Sequence, residues 1–459
     1  MKIYTQTYNF NADLYTPVGL YLGLRNHYRK PCLLESNDYH SRTDSTSFIG
    51  LNPLVEITVN PNAITTVAGN SVANEALTNP TQVTAQVKAI LEGFDFENPS
   101  AHNAFLSYFG FEYAHFEEPV TDERQAFGNL PLAQFILFEY LIVLDHFHNT
   151  GIIYKNSFSA EQQPDSVFES LLKKQNFTLL PFEVTAEETS PDTDADFLEL
   201  VEKAKTHIYR GDVFQLVVSR PFEQAFFGDD FQVYRHLRRL NPSPYLFYAD
   251  MESYRVMGSS PETQVSLNTG TAAIHPIAGT VRKTGNAAAD LLSTEALMND
   301  EKENAEHTML VDLARNDLSR FCNDVHIASY KEVQHFSHVI HLVSKVAGQL
   351  QEGKEALGLF AGTFPAGTLS GTPKPKALQL ISRYESTPRG YYGGAIGFIN
   401  PNGNMNLAIV IRSIFSQNNT LHYRAGAGVV VDSTPQNELN EVHNKLGAVR
   451  RAIAAASNT

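Results

Sequence analysis

Tryptophan is absent from this 459-residue chain, and cysteine occurs only twice. Cys32 and Cys322 cannot build a disulfide framework or a cysteine-rich zinc site, and their apolar or mixed surroundings suit small buried side chains better than nucleophiles. Long hydrophobic runs are missing too. The greasiest stretch, FILFEYLIVL at 135–144, is interrupted by Glu139 and is too short to span a bilayer. The opening residues MKIYTQTYNF show no basic start followed by an apolar segment, so the expected location is the cytoplasm. Positive charge is in deficit: 35 Lys and Arg stand against 50 Asp and Glu, a formal charge of −15 that would repel nucleic acid and anionic membranes. Neither is expected as a partner. A small anionic substrate would need local basic groups or a metal ion to hold it. The rest of the composition, 42% hydrophobic and 19% charged, is that of a globular protein able to bury one large core or two smaller ones.

The sharpest break in composition is TAEETSPDTDAD at 185–196, polar and acidic with Pro191, which predicts a linker between a first domain at 1–184 and a second at 197–459. Beyond it Phe197, Leu200, Val201, Ala204 and Ile208 recur at helical spacing, and Gly211 supplies a stop. VFQLVVSRPF reads as a strand. From 245 to 285 and from 391 to 431 the pattern is β-branched and aromatic, with turn signals at Asn268-Thr269-Gly270 and Asn402-Gly403, as antiparallel hairpins require. The N-terminal part is also mixed, with strand-like FIGLNPLVEITVN and helix-like VTAQVKAILEGF. The expected class is α+β with large antiparallel sheets.

DEKENAEH at 300–307 places four carboxylates in eight positions. If 293–319 forms one helix, Glu303, Glu306, Leu310, Leu313 and Asp317 share a stripe, so two glutamates face protein while Asp300 and Glu301 serve the helix start in water. An inward carboxylate needs a cation or hydrogen-bond donors; a metal, a catalytic role and paired structural ions all satisfy that need. A second acidic pair lies in STPQNELNEVHNKLGAVRRAI, where Thr434 can cap, Pro435 suits the first turn, and Leu439, Val442, Leu446, Val449 and Ile453 form the buried stripe. Glu438 and Glu441 flank it. Two Glu pairs at i and i+3, without cysteine or histidine at zinc spacing, suit a hard ion such as Mg²⁺, whereas a plain Glu441–Lys445 pair at i+4 is the bland alternative.

Several groups could hold an anion. Period-two reading of MNLAIVIRSIF puts Ala408, Val410, Arg412 and Ile414 on one strand face, and Arg412 there needs an acid from substrate or protein. Gly426 and Gly428 in YRAGAGVVVDS could offer bare backbone N–H groups or merely relieve crowding. FPAGTLSGTPKPKAL, with Lys374 and Lys376 beside a helix start, has the look of an anion loop without being a Walker A motif. His341 in VIHLVSKV shares a face with Val339 and Val343, the usual setting of a core histidine.

Taken together and in order, GDVFQLVVSR, NPSPYLFY, GSSPE, HPIAGT, DEKENAEHTMLVDLARNDLSR, HLVSKV, FPAGTLSGTPK, YYGGAIG, NMNLAIVIRS and AGAGVVVDSTPQNELNE resemble the successive blocks of the chorismate-utilising enzymes, most closely the anthranilate synthase large subunits. The resemblance spans nearly the whole chain. It implies antiparallel sheets packed as a sandwich with flanking helices, and conversion of chorismate and ammonia, with Mg²⁺, to an aminated intermediate and then to anthranilate and pyruvate. It further implies Glu306 and Glu441 as metal ligands, with Glu303 and Glu438 ordering the metal's waters. Glu262 is implied as general acid for the C4 hydroxyl, and Tyr392 and Arg412 as holders of the enolpyruvyl carboxylate. Gly279, Thr280, Thr368, Gly426 and Gly428 would line the pocket, and His341 would serve pyruvate elimination, by proton transfer or by positioning.

Gln215 stands where the isochorismate and salicylate synthases have a water-activating lysine, and a glutamine cannot be that base. PIAGT, with Ala278, departs from the PIKGT common in aminodeoxychorismate synthases, which nonetheless remain the alternative reading. Near the N-terminus, LLES with Ser47, and NPSPYLFY, resemble the family's tryptophan feedback site, implying Glu35, Ser36, Ser47, Pro244, Tyr245 and Leu246 around the effector, Leu246 replacing a frequent methionine. No Gly-x-Cys-x-Gly elbow is present, so ammonia from glutamine would require a separate glutamine amidotransferase subunit.

Overall fold

The computed structural model describes residues 1–458 except 37–44, 78, 101, 119, 121, 123, 125, 126, 175 and 336–338, with the backbone alone at 80, 278, 280, 282, 287, 302, 335 and 339. The side-chain roles expected of Ala278 and Thr280 therefore lie outside the described residues. Among the described residues no helix is long and apolar enough to cross a membrane.

The apolar run at 135–144 lies within strand Ala133–Asp145, which is buried along almost its whole length. Strand Thr46–Val59 pairs with one of its edges and strand Thr150–Ser157 with the other. Continuous rather than alternating hydrophobicity is what a strand covered on both faces demands.

From strand Thr46–Val59 an antiparallel ladder runs two ways. One arm continues through Cys32–Ser36, Tyr245–Asp250, Arg255–Ser260, Ser413–Gln417, Thr420–Val429 and Gln215–Gly228. The other passes through Ala133–Asp145, Phe105–Phe109, Ala395–Ile399, Met405–Ile409, Thr263–Asn268, Thr271–Ile274 and Val339–Leu350. Strands Ile277–Arg282 and Cys322–His335 pair with that last strand. Both arms thus join segments from either side of 185–196, and that acidic segment itself runs along strand Gln215–Gly228, bonding it at Thr185, Thr189 and Ser190. Phe247, Val256 and Phe415 of the first arm pack with Leu106, Ile396 and Ile409 of the second in a common core cluster. The architecture is α+β, antiparallel sheets packed together with helices around them.

The helices follow their sequence signals with two differences. Helix Asp194–Tyr209 opens on a full capping box between Thr193 and Asp196 and buries Phe197, Leu200, Val201 and Ala204. Helix Pro435–Ser457 buries the expected Leu439, Val442, Leu446, Val449 and Ile453, but Thr434 at its cap position makes no side-chain capping bond. The single helix expected over 293–319 is two, Ala287–Asn299 and Glu301–Ser319. Asp300 separates them because its backbone is extended (φ −71°, ψ 113°) and its carboxylate caps the second, accepting from Glu303 N–H at 2.9 Å.

Phe109 packs against rings from both sides of 185–196: it is fully buried on strand Phe105–Phe109, with its ring centroid 4.0 Å from Phe360, 5.1 Å from Tyr113 and 5.3 Å from Phe135. Phe109→Ala should lower unfolding free energy by about 3–5 kcal/mol, since the cavity opens among three closely packed rings. Urea titration followed by circular dichroism measures this, and a loss below about 1 kcal/mol would contradict such tight packing.

Candidate active site

Two connections carry the chain from one arm to the other, at 260–263 and at 409–413, and they run side by side. Ser259 N–H donates to Arg412 O at 3.1 Å and Ile409 N–H to Glu262 O at 2.9 Å. The strand face expected to carry Arg412 does not form: strand Met405–Ile409 ends before it, strand Ser413–Gln417 begins after it, and Arg412 itself takes the left-handed conformation, φ +48°. Such a residue interrupts the regular alternation of a ladder. The break turns the guanidinium away from the sheet's alternation and brings it near Glu262.

Glu262 is partly buried and accepts a hydrogen bond from Thr368 Oγ1 at 2.9 Å, on the short helix Gly367–Ser370. Burial pushes its carboxyl up to about 7, against the opposing pull of Thr368, Lys445 and Arg412. His341 is buried on strand Val339–Leu350, its Nδ1 3.1 Å from Gly279 O. Burial, with Arg412 adding to it, lowers the imidazole to about 4, so it is neutral at neutral pH, and the Gly279 carbonyl assigns the proton to Nδ1. Gly279 sits at a register shift with φ +69°, where a Cβ would come 2.5 Å from Leu297 Cδ1 and 3.4 Å from Glu303 Oε2. That glycine lets the acidic helix start approach the sheet.

The opposite wall is strand Thr420–Val429. A Cβ on Gly428 would meet Gln215 Nε2 at 2.7 Å, and one on Gly426 would meet the Tyr392 hydroxyl at 3.2 Å. Lys445 Nζ donates to Gly426 O at 3.0 Å and pairs with Glu441 at 2.6 Å, close enough to Glu262, Tyr392 and Arg412 to bear on their charge. The i+4 partnership of Glu441 and Lys445 is therefore real and lies inside the site. Gln215 is buried, and among the described residues its Oε1 finds no hydrogen-bond donor. Glu262, Thr368, Tyr392, Arg412, Gly279, Gly426, Gly428 and His341 thus border one region. Of the suggested anion loop Thr368 reaches it, but Lys374 does not: it is buried, donating to Thr363 O at 2.8 Å and Asp317 at 3.3 Å.

Of the four glutamates, Glu438 is 4% exposed and Glu303, Glu306 and Glu441 are half-buried. Among the described residues no three acidic, histidine or cysteine side chains converge as a ready cage for an ion. The donor set, carboxylates without sulfur or imidazole, suits a hard cation that keeps waters or substrate oxygens among its ligands.

The six residues expected around an effector also come together. Glu35 pairs in register with Ser47 on one side and Leu246 on the other, Ser36 with Tyr245, and Pro244 adjoins. Sequence reading missed what holds Glu35: Tyr234 donates to it at 2.7 Å, and Arg238 grips it at 2.9 and 2.6 Å from helix Phe231–Leu240. It also missed His146, 2.7 Å from the Ser47 hydroxyl. Those partners lie about 100 to 200 positions away in sequence, and no local spacing marks them.

The family model for chorismate binding enzymes matches residues 30–451. The chain is 34% identical to anthranilate synthase component 1 of Aquifex aeolicus strain VF5, over 98% of this chain and 94% of that protein. The crystal structure of anthranilate synthase component I from Streptococcus pneumoniae TIGR4 superposes with a TM-score of 0.77 at 28% identity, covering 96% of this chain and 98% of that one. The menaquinone-specific isochorismate synthase of Escherichia coli shares the fold alone, with a TM-score of 0.77 at 18% identity over 98% and 94% of the two chains.

A carboxyl held at about 7 rather than 4.5 stabilises the fold in its protonated form, fully below about pH 4.5, and that contribution is lost as pH rises through 7. The wild type should therefore lose up to about 3 kcal/mol relative to Glu262→Gln between pH 5 and 8, less in so far as solvent reaches the carboxylate. Parallel denaturant titrations across that range test it; a constant difference would mean an ordinary carboxyl.

Proposed function

The chain belongs to the chorismate binding enzyme family, and on that premise we propose that it is the ammonia-using large subunit of an anthranilate synthase, converting chorismate and ammonia to anthranilate and pyruvate. The observation that carries this reading is the meeting of Glu262, Thr368, Tyr392, Arg412, Gly426 and Lys445 opposite Gln215. A carboxyl titrating near neutrality can give its proton to a departing hydroxyl and still regain it between turnovers. Arg412 and Tyr392 would bind the enolpyruvyl carboxylate, and the Gly426 and Gly428 backbone would lie against the ring end. Gln215 cannot deprotonate water, but its unfilled Oε1 can accept an N–H, which favours ammonia as the attacking group. His341, neutral with its proton on Nδ1, presents Nε2 as an acceptor suited to the hydrogen lost at C2 when pyruvate leaves.

Glu306 and Glu441 would ligate Mg²⁺, with Glu303 and Glu438 ordering its waters. When bound, the metal supplies a fixed positive charge for the ring carboxylate and for the charge that develops as the hydroxyl departs. Glu441 would exchange Lys445 for the metal. Residues 197–459 would form the catalytic part and 1–184 the regulatory one, with tryptophan bound among Glu35, Ser36, Ser47, Pro244, Tyr245 and Leu246 and favouring a state less able to bind chorismate. The relatives' name, component 1, supports a second component, here a glutamine amidotransferase that would supply the ammonia.

Incubation with chorismate, an ammonium salt above neutral pH and Mg²⁺ should produce anthranilate fluorescence, unobscured because the chain lacks tryptophan. EDTA should abolish it. No signal with intact chorismate, the para isomer instead, or indifference to EDTA would sink the reading. At fixed free ammonia, kcat/KM should fall as pH rises through about 7 and Glu262 loses its proton, and Glu262→Gln should cost about 10²- to 10⁴-fold. Tryptophan should suppress the signal, and Ser36→Ala should weaken that suppression; equal inhibition in the variant would count against the effector site.

A further inference from the structure

Arg389 is the largest of the completely buried side chains, in a position no substrate reaches. Its Nε donates to Glu385 at 3.0 Å and its Nη2 to the other Glu385 oxygen at 2.6 Å. Two more of its N–H groups go to backbone: Nη2 to Val217 O at 2.9 Å and Nη1 to Leu369 O. The guanidinium also lies over the Phe111 ring, 4.5 Å from its centroid, and 5.9 Å from that of Tyr392. Its own amide donates to Glu112 at 2.7 Å, and its carbonyl accepts from Tyr392 N–H at 3.1 Å.

Three of these contacts lead to walls of the site. Leu369 follows Thr368, which bonds Glu262; Val217 pairs with Gly428 two residues after Gln215; Tyr392 meets Gly426. Glu385 completes the frame by accepting from Ser219 N–H and Oγ, both at 2.8 Å, and from Arg424 at 3.2 Å. Opposite charges this deeply buried are poor devices for stability alone, because desolvation offsets most of their attraction. A planar fork that bridges one carboxylate and two carbonyls from separate segments is suited instead to fixing distances.

We propose that Arg389 is a positioning residue for the proposed reaction: without touching substrate, it sets Tyr392, Thr368 and the Val217–Gly428 strand pair at the spacing that receives the enolpyruvyl carboxylate. The inference rests on the anthranilate synthase reading for its substrate. Lysine keeps the charge but cannot span the three acceptors, so Arg389→Lys should raise the chorismate KM at least tenfold while kcat falls no more than about threefold and circular dichroism stays native. Tyr392→Phe should raise KM too, and the double variant should be little worse than the worse single one, a coupling that general destabilisation would not produce. If Arg389→Lys does not fold, Glu385→Gln, which keeps the side-chain shape while loosening the fork, should shift KM in the same direction. A folded Arg389→Lys, or Glu385→Gln in its place, with KM within twofold of wild type overturns the proposal, as do fully additive effects. Should the wild type make no anthranilate, the reaction reading fails by itself; equilibrium dialysis with chorismate then decides the positioning role, tenfold weaker binding in Arg389→Lys upholding it and equal binding ending it.

Discussion

Buried backbone amides and carbonyls must find partners, and where two antiparallel arms exchange strands that requirement is hardest to meet. The chain meets it by crossing twice in the same place. Each crossing uses the other's orphaned groups, Ser259 N–H with Arg412 O and Ile409 N–H with Glu262 O. The acid and the arginine lie at these two crossings. The placement of these two side chains and backbone satisfaction are thus one arrangement, which accounts for a half-buried, left-handed arginine that neither strand periodicity nor local propensity would select.

The site's electrostatics run against the chain's. A protein with a formal charge of −15 repels anions at long range, so an anionic ligand has to be held by charges at contact distance. The candidate site holds two positive charges, Arg412 beside Glu262 and Lys445 on Gly426 O. Their attraction for Glu262 is not enough to overcome its burial, which leaves an acid poised near neutrality rather than an ion pair. Deeper still, Arg389 and Arg424 share Glu385, and burial's upward push on that carboxyl is outweighed by the two guanidinium groups.

Much of this was legible in the sequence. The buried stripes of helices Asp194–Tyr209 and Pro435–Ser457 follow from spacing, and the glycines at 426 and 428 announced a close approach. The family blocks named Glu262, His341, Tyr392 and Thr368, and the structure brings them together. Legibility failed where a local pattern has two tertiary outcomes. Period two in MNLAIVIRSIF continues through Arg412 on paper, but the chain leaves one arm there and joins the other. Lys374 looked like an anion group because it follows a Gly- and hydroxyl-rich turn at a helix start; Asp317 and the Thr363 carbonyl claim it instead. Asp300 broke a helix whose apolar spacing alone gave no reason to break.

The sequence by itself determined the α+β class, through periodicity and turn chemistry that act over a few residues, and, through the family blocks it resembles, the residues of the candidate site and the order in which the chain supplies them. Only the tertiary structure decided which charges meet. Glu35 finds Arg238 and Tyr234, Glu262 finds Thr368, and Arg389 spans Glu385, Val217 and Leu369 through pairings up to about 200 residues apart in the chain. A hydrogen bond's direction and a carboxyl's burial are properties of the packed arrangement, and no spacing along one strand or helix encodes them.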